Sequence, residues 1–111
     1  MHKEIKARVG EEELLAQLAE EAIELAHAAL KLRRVIGCKN PTPVKYDEAL
    51  ENFLEEVADV DLVLAVLDIG EDTEELLARM RAKLIRWLAR LRATTQDPWE
   101  EKTESGLLEE A

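Results

Sequence analysis

Apolar residues recur at alternating steps of three and four along most of the chain, which is the spacing of a helix with one buried face. The first such series lies within residues 12–35, a second covers residues 47–69, and a third begins near 73 and ends before Pro98. A short amphipathic segment over residues 2–10 precedes them. No segment alternates apolar and polar residues as a strand would, so the pattern predicts an all-α protein. The clearest series, within residues 12–35, comprises Leu15, Leu18, Ala22, Leu25, Ala29 and Leu32.

Glycines and prolines separate the predicted helices. Gly37 ends the first long helix, and Pro41 and Pro43 keep residues 37–46 out of helix. A short leading helix and three long ones form a bundle whose apolar faces one chain does not cover, so a homodimer or a dimer of dimers is expected. The other predicted boundaries are Gly10 after the leading helix, Asp47 as a cap, Gly70 as a terminator, and Asp72 or Thr73 before the third long helix.

Composition and charge narrow the class of protein. The net charge of -10 disfavours nucleic acid as a partner, because the field of the protein repels phosphates. Asp59, Asp61 and Asp68 interrupt the longest apolar run, so no membrane span is expected. The charged start does not read as a signal peptide, and Cys38 has no partner for an intrachain disulfide, so a cytoplasmic location is expected. The acidic segment 98–111 is predicted to be a flexible tail.

One acidic pattern, of two acids, two other residues and a third acid, occurs twice. If Ala22 and Val57 are the centres of the buried faces, the second and third acids of each copy lie about 100° and 160° to the same side. They are then expected to line a crevice between the two helices, where four carboxylates need a cation. An all-carboxylate set favours Mg²⁺, with Mn²⁺ as the other candidate. The two copies are Glu20, Glu21 and Glu24, and Glu55, Glu56 and Asp59.

The third long helix carries basic residues on one side of its apolar stripe. With Leu84 at the centre of the stripe, these residues lie roughly 100° to 160° away. They would neutralise the phosphates of a metal-bound polyphosphate, or they would form an exposed face with ion pairs to neighbouring helices; the sequence leaves both interpretations open. The basic residues are Arg79, Lys83, Arg86 and Arg90.

Other acids and one histidine suggest further possibilities. Asp61 and Asp68 point within about 40° of the predicted buried face and would need partners there; Asp61 is the stronger site candidate. Glu24 and His27 have the spacing of a di-iron bundle, but Leu62 takes the matching position in the second copy. An ordinary solvated acidic face is the remaining alternative.

Three segments carry a resemblance to a known family: EEAIELAHAALKLRR (20–34), NFLEEVADVDLVLAVL (52–67) and KLIRWLARL (83–91). Together they resemble the MazG-like branch of the all-α nucleoside triphosphate pyrophosphohydrolases, over about residues 12–91. The resemblance implies a domain over residues 1–97 that hydrolyses nucleoside triphosphates between the α and β phosphates, in nucleotide-pool house-cleaning. The spacer between the two acidic copies is longer than is usual in that family.

The resemblance also implies roles for individual residues. Metal ligands would be Glu21, Glu24, Glu56 and Asp59. Glu20 and Glu55 would be supporting acids, with Glu20 or Glu24 accepting the proton of the attacking water. Phosphate would meet Lys31, Arg34, Lys83 and Arg86. Two alternatives remain open: a phosphoribosyl-ATP pyrophosphohydrolase-like enzyme and a non-catalytic helical interaction module.

Overall fold

The computed structural model of the chain describes residues 1–37, 39–40, 42–69 and 73–94. These residues contain four helices and no strand, which confirms the all-α prediction. None of the described helices combines the length and apolar character needed to cross a membrane. The helices are α1 (His2–Val9), α2 (Glu11–Gly37), α3 (Tyr46–Val66) and α4 (Glu74–Thr94). Outside the described residues lie the predictions for Cys38, Pro41, Gly70, Asp72, Pro98 and the tail 98–111.

The breaks around α1 and α3 follow from local backbone geometry. Gly10 follows α1 with a φ of 92°, which glycine adopts readily, and α2 begins at the next residue. Asp47 is not the cap predicted from the sequence, because Lys45 is the N-cap of α3. Asp47 lies instead in the first turn, where the helix dipole favours its negative charge.

The end of α3 is a Schellman turn built on an aspartate. The Ile69 N–H donates to the Leu64 carbonyl oxygen at 2.8 Å, and the Asp68 N–H donates to that of Ala65 at 3.0 Å. Asp68 has a φ of 63°, the left-handed conformation this turn requires. The helix therefore ends at Val66, before the predicted end at Ile69.

Helices α2 and α3 pack side by side in opposite directions, and α1 contacts both. Leu14, near the start of α2, packs with Val63 and Leu67, near the end of α3. Two turns further along α2, Glu21 lies beside Glu56, which is two turns earlier in α3. The two helices thus form an antiparallel hairpin with one continuous seam between them.

The seam follows a heptad pattern on both helices. Positions separated by steps of three and four are buried or half-buried along its whole length. Ala28 and Ala49 are buried at the level next to the glutamates, and such small side chains let two helix backbones approach closely. The seam residues are Leu14, Leu18, Glu21, Leu25, Ala28, Leu32 and Val35 of α2, and Ala49, Phe53, Glu56, Val60 and Val63 of α3 with Leu67, its C-cap.

The buried faces are turned by about 80° from those predicted. Ala22, the predicted centre for α2, is exposed, as is Leu15, while Val57 in α3 is half-buried. Each helix carries two apolar stripes. The seam is formed by the stripe that contains Glu21 in α2 and Glu56 in α3, and not by the stripes centred on Ala22 and Val57. Asp61 and Asp68 are consequently exposed, so the prediction that they point into the core is wrong.

Contacts divide the chain into two units, residues 1–70 and 71–111, and α4 belongs to the second. Thr73 caps this helix, since its Oγ1 accepts a hydrogen bond from the Leu76 N–H at 3.3 Å. Arg79 pairs with Glu75 at 2.9 Å, one turn earlier in the same exposed surface. This ion pair lies within α4, so the predicted ion pairs to neighbouring helices and the predicted phosphate contacts both stay predictions.

Candidate metal centre

Two glutamates interrupt the apolar seam of the α2–α3 hairpin. Glu21 follows Leu18 in the heptad of α2, and Glu56 follows Phe53 in the heptad of α3. The antiparallel packing brings both glutamates to the same level. A carboxylate in such a position is desolvated, which costs free energy unless a proton or a cation compensates it.

Two further acids lie at the rim of the seam beside these glutamates. Glu24 is three residues after Glu21, and Asp59 is three residues after Glu56. Each of these acids therefore lies about one turn from its seam glutamate, on the same side of the helix. Each of the four residues offers one carboxylate oxygen, and these oxygens lie within 4.8 Å of one another. Oxygen ligands about 2.0–2.6 Å from a cation are separated by up to about 5 Å, so the four oxygens fit around one ion.

The seam glutamates each have one oxygen without a partner. Glu21 Oε2 and Glu56 Oε2 are shielded from solvent and accept no hydrogen bond from the described residues. Buried acceptors are nearly always satisfied in folded proteins, and two such oxygens at one level could share a proton or hold a cation. The donor set consists of carboxylates, which suits a hard divalent cation.

The pKa values of the two seam glutamates are both raised. Desolvation raises the pKa of Glu21, and the carboxylates of Glu24, Asp59 and Glu56 raise it further. Desolvation likewise raises the pKa of Glu56, followed by the charges of Glu24, Asp59 and Glu55. These causes all disfavour the charged form of the two carboxyls, and a bound cation would act in the opposite direction.

The structure brings together the four acids predicted as metal ligands, but it changes their arrangement. The prediction that Glu21 and Glu56 lie at the margin of the buried faces is wrong, because both are in the seam itself. The heptad register could have shown that these two acids lie in the seam, because Glu21 in α2 and Glu56 in α3 are the positions of the register that are not apolar. The prediction placed the acids at the margin because it centred the buried faces on Ala22 and Val57.

The other predicted site residues lie outside the cluster. Glu20 and Glu55 are exposed and are not among the four clustered acids. His27 is exposed and is also not among them, so the described residues give no support to a di-iron site. Lys31 and Arg34 are half-buried, along α2 towards the loop.

Lys83 and Arg86 belong to α4, in the second unit of the chain, so their predicted contact with phosphate stays a prediction.

The chain was compared with family models, curated proteins and solved structures. No family model, no curated protein and no solved structure matches the chain.

Proposed function

We propose that the four-carboxylate cluster holds Mg²⁺ or Mn²⁺ and that the protein is a nucleoside triphosphate pyrophosphohydrolase of the MazG-like type. The observation that carries the proposal is the pair of orphaned glutamate oxygens, Glu21 Oε2 and Glu56 Oε2, at one level of an otherwise apolar seam. Glutamates without such a role would be a liability there, because leucine at either position would complete the heptad.

The residues around the cluster suit work on a polyphosphate. A divalent cation bound there would neutralise phosphate charge and acidify a water molecule. Glu24, at the rim, and Glu20, one turn away on the exposed side, are the candidates to accept the proton of that water. Lys31 and Arg34 supply positive charge on the same helix for phosphate oxygens. The reaction would give a nucleoside monophosphate and pyrophosphate.

Self-association is part of the same proposal. The stripe of α2 that includes Leu15 and Ala22 is exposed in the single chain, and so is Leu54 on α3. Exposed apolar side chains arranged along two packed helices are typical of a surface that a second copy covers. We infer a homodimer formed through these stripes.

A direct experiment measures pyrophosphate and orthophosphate release from a panel of canonical and modified nucleoside triphosphates with Mg²⁺. Phosphoribosyl-ATP belongs in the panel, because its selective cleavage would favour the related enzyme of that specificity. We expect Glu56→Gln and Asp59→Asn to abolish release while the proteins stay folded. Glu51→Gln, which removes an exposed acid of α3 outside the cluster, is the matched control and should retain activity.

Metal binding is tested separately by titrating MgCl₂ or MnCl₂ into the protein in a calorimeter. The proposal expects a saturable site that Glu56→Gln removes and Glu51→Gln retains. The absence of a saturable site, with no pyrophosphate from any substrate, would instead favour a helical interaction module.

A further inference from the structure

The antiparallel hairpin gives the carboxylate cluster two matching halves. Glu21 and Glu24 of α2 correspond to Glu56 and Asp59 of α3. The residue three positions after each rim acid lies about one turn further along its helix and about 60° further round, on the side that the rim acids face. Two equivalent positions therefore flank the cluster, one towards the loop between α2 and α3 and one towards α1. These positions are His27 on α2 and Leu62 on α3.

The two flanking residues differ in chemistry. His27 is exposed and presents an imidazole that forms hydrogen bonds with solvent or a ligand. Leu62 is 54% exposed and presents an apolar side chain. The proposed homodimer does not account for this exposure, because it covers the opposite side of α3, where Leu54 lies. Leu62 thus forms an open apolar surface about one turn from four carboxylates.

Helix α1 limits this surface on the side away from the cluster. Leu14 packs with Val63, so Val66 lies level with the start of α2, where α1 is attached, and α1 contacts α3. Val66 has nearly the direction of Asp59, with a difference of about 20° around α3. It is only 5% exposed, so this side of α3 is closed at the level of α1. The open apolar surface at Leu62 lies between that level and the cluster.

Positive charge is present at both ends of the hairpin. Helix α1 carries Lys3, Lys6 and Arg8. Arg8 pairs with Glu4 at 2.8 Å, whereas the two lysines form no ion pair with any described residue. Lys31, four residues after His27, supplies a cation at the other end. Charge therefore does not decide on which side of the cluster a nucleoside would lie, but an apolar surface on one side does.

We infer that the nucleoside of a triphosphate bound at the cluster lies on Leu62. This assignment rests on the proposed function, in which the cluster holds the phosphates through a divalent cation. The faces of a base and a sugar are largely apolar, so covering a leucine with them removes apolar surface from water. A phosphate chain in the same place would lose hydration without gaining a hydrogen bond. Leu62 is thus expected to set the affinity for the nucleoside and not for the polyphosphate.

Steady-state kinetics with nucleoside triphosphates and Mg²⁺ test this contact. Leu62→Asn should raise KM roughly fivefold to tenfold, the loss expected when a ligand no longer covers an apolar side chain, and leave kcat nearly unchanged. Leu62→Met keeps an apolar side chain of similar volume and should restore most of the affinity. Thermal melts check that both variants stay folded.

Inorganic triphosphate separates the nucleoside contact from phosphate binding. Calorimetric titration of this compound with Mg²⁺ should give the same Kd for wild type and Leu62→Asn, because inorganic triphosphate has no nucleoside. His27→Asn is the matched variant at the equivalent position, and it should leave the ratio of the affinities for nucleoside and inorganic triphosphate unchanged. Leu30→Asn is the remote control, since Leu30 is 50% exposed and points about 180° away from Glu21 around α2.

Three results would overturn the assignment while leaving the proposed function intact. The first is a wild-type KM for Leu62→Asn. The second is an equal loss of affinity for nucleoside and inorganic triphosphate in that variant. The third is a changed ratio in His27→Asn with none in Leu62→Asn, which would place the nucleoside on the other side of the cluster. If the wild-type protein neither binds nor hydrolyses any triphosphate, the proposed function fails, and the assignment of Leu62 fails with it.

Discussion

Glu21 and Glu56 place carboxylates in the packed seam between α2 and α3. Each occupies a seam position that the heptad otherwise gives to an apolar side chain. Each has a solvent-shielded oxygen with no partner among the described residues, and each has a raised pKa. The metal-free fold therefore carries a penalty at this level of the hairpin, which a bound cation would offset.

Replacing both glutamates with leucine should stabilise the metal-free protein. The double variant Glu21→Leu/Glu56→Leu completes the apolar seam, so its thermal unfolding midpoint should rise by several degrees, while Mg²⁺ should no longer raise it. Thermal melts with and without MgCl₂ measure both effects. Glu20→Leu, an exposed neighbour outside the seam, is the control and should leave the midpoint nearly unchanged. A lower midpoint in the double variant would show that the two glutamates do not destabilise the metal-free protein.

The same two carboxyls should make metal-free stability depend on pH. Their pKa values are raised above the ordinary 4.5, so the folded state holds protons that the unfolded state has already released. Their contribution to the free energy of unfolding is therefore lost as the pH rises from the ordinary value through the raised ones.

Urea denaturation from pH 4.5 to pH 8 tests this pH dependence. The free energy of unfolding is measured for wild type and for Glu21→Gln/Glu56→Gln, and the difference between the two proteins isolates the contribution of the two carboxyls. The stability of wild type relative to the variant should fall as the pH rises, and saturating Mg²⁺ should remove most of the trend, since metal replaces the protons. A difference that grows with pH in metal-free buffer would refute the assignment.

At the scale of individual residues, the sequence predicted which acids meet but not how they are buried. The repeated spacing of Glu21 with Glu24 and of Glu56 with Asp59 was sufficient to predict the cluster, because helical periodicity places i and i+3 together. Burial could not be predicted in the same way. Each helix has two apolar stripes, and choosing between them depends on the free energy of the whole α2–α3 contact.

At the scale of elements, the end of α3 shows where local rules fail. Glycine is the usual residue in the left-handed position of a Schellman turn, and Gly70 was the predicted terminator. The chain instead places Asp68 there, with a φ of 63°. An aspartate tolerates this conformation better than most residues, but its charge lies at the negative end of the helix dipole.

Asp68→Gly should therefore stabilise the protein by about 1 kcal/mol, since glycine has no Cβ to strain the left-handed conformation and no charge. Chemical denaturation at neutral pH measures the change. Asp68→Ala is the matched control, because it also removes the charge but keeps a Cβ, and it should be about 1 kcal/mol less stable than the glycine variant. Equal stability of the two variants would show that the backbone conformation carries no strain.

At the scale of the whole molecule, the hairpin of α2 and α3 has two chemically distinct sides. The second apolar stripe of each helix is turned in the same sense from the seam, and because the helices are antiparallel both stripes face one side. Glu24 and Asp59 are turned in the opposite sense and face the other side. Self-association through the apolar side would leave the carboxylate cluster accessible, which is compatible with a dimer of independent sites.

Two leucines of α3 allow this arrangement to be tested, because they are equally exposed on different sides. Leu54 is 55% exposed on the apolar side, and Leu62 is 54% exposed on the side of Asp59. Light scattering after gel filtration should give a dimer for wild type and Leu62→Glu, and a monomer for Leu54→Glu, because a glutamate in the interface would be desolvated. Dilution should lower the unfolding midpoint of wild type but not that of the monomeric variant. A dimer that survives Leu54→Glu and dissociates in Leu62→Glu would place the interface on the carboxylate side, so the partner copy would then border the carboxylate cluster.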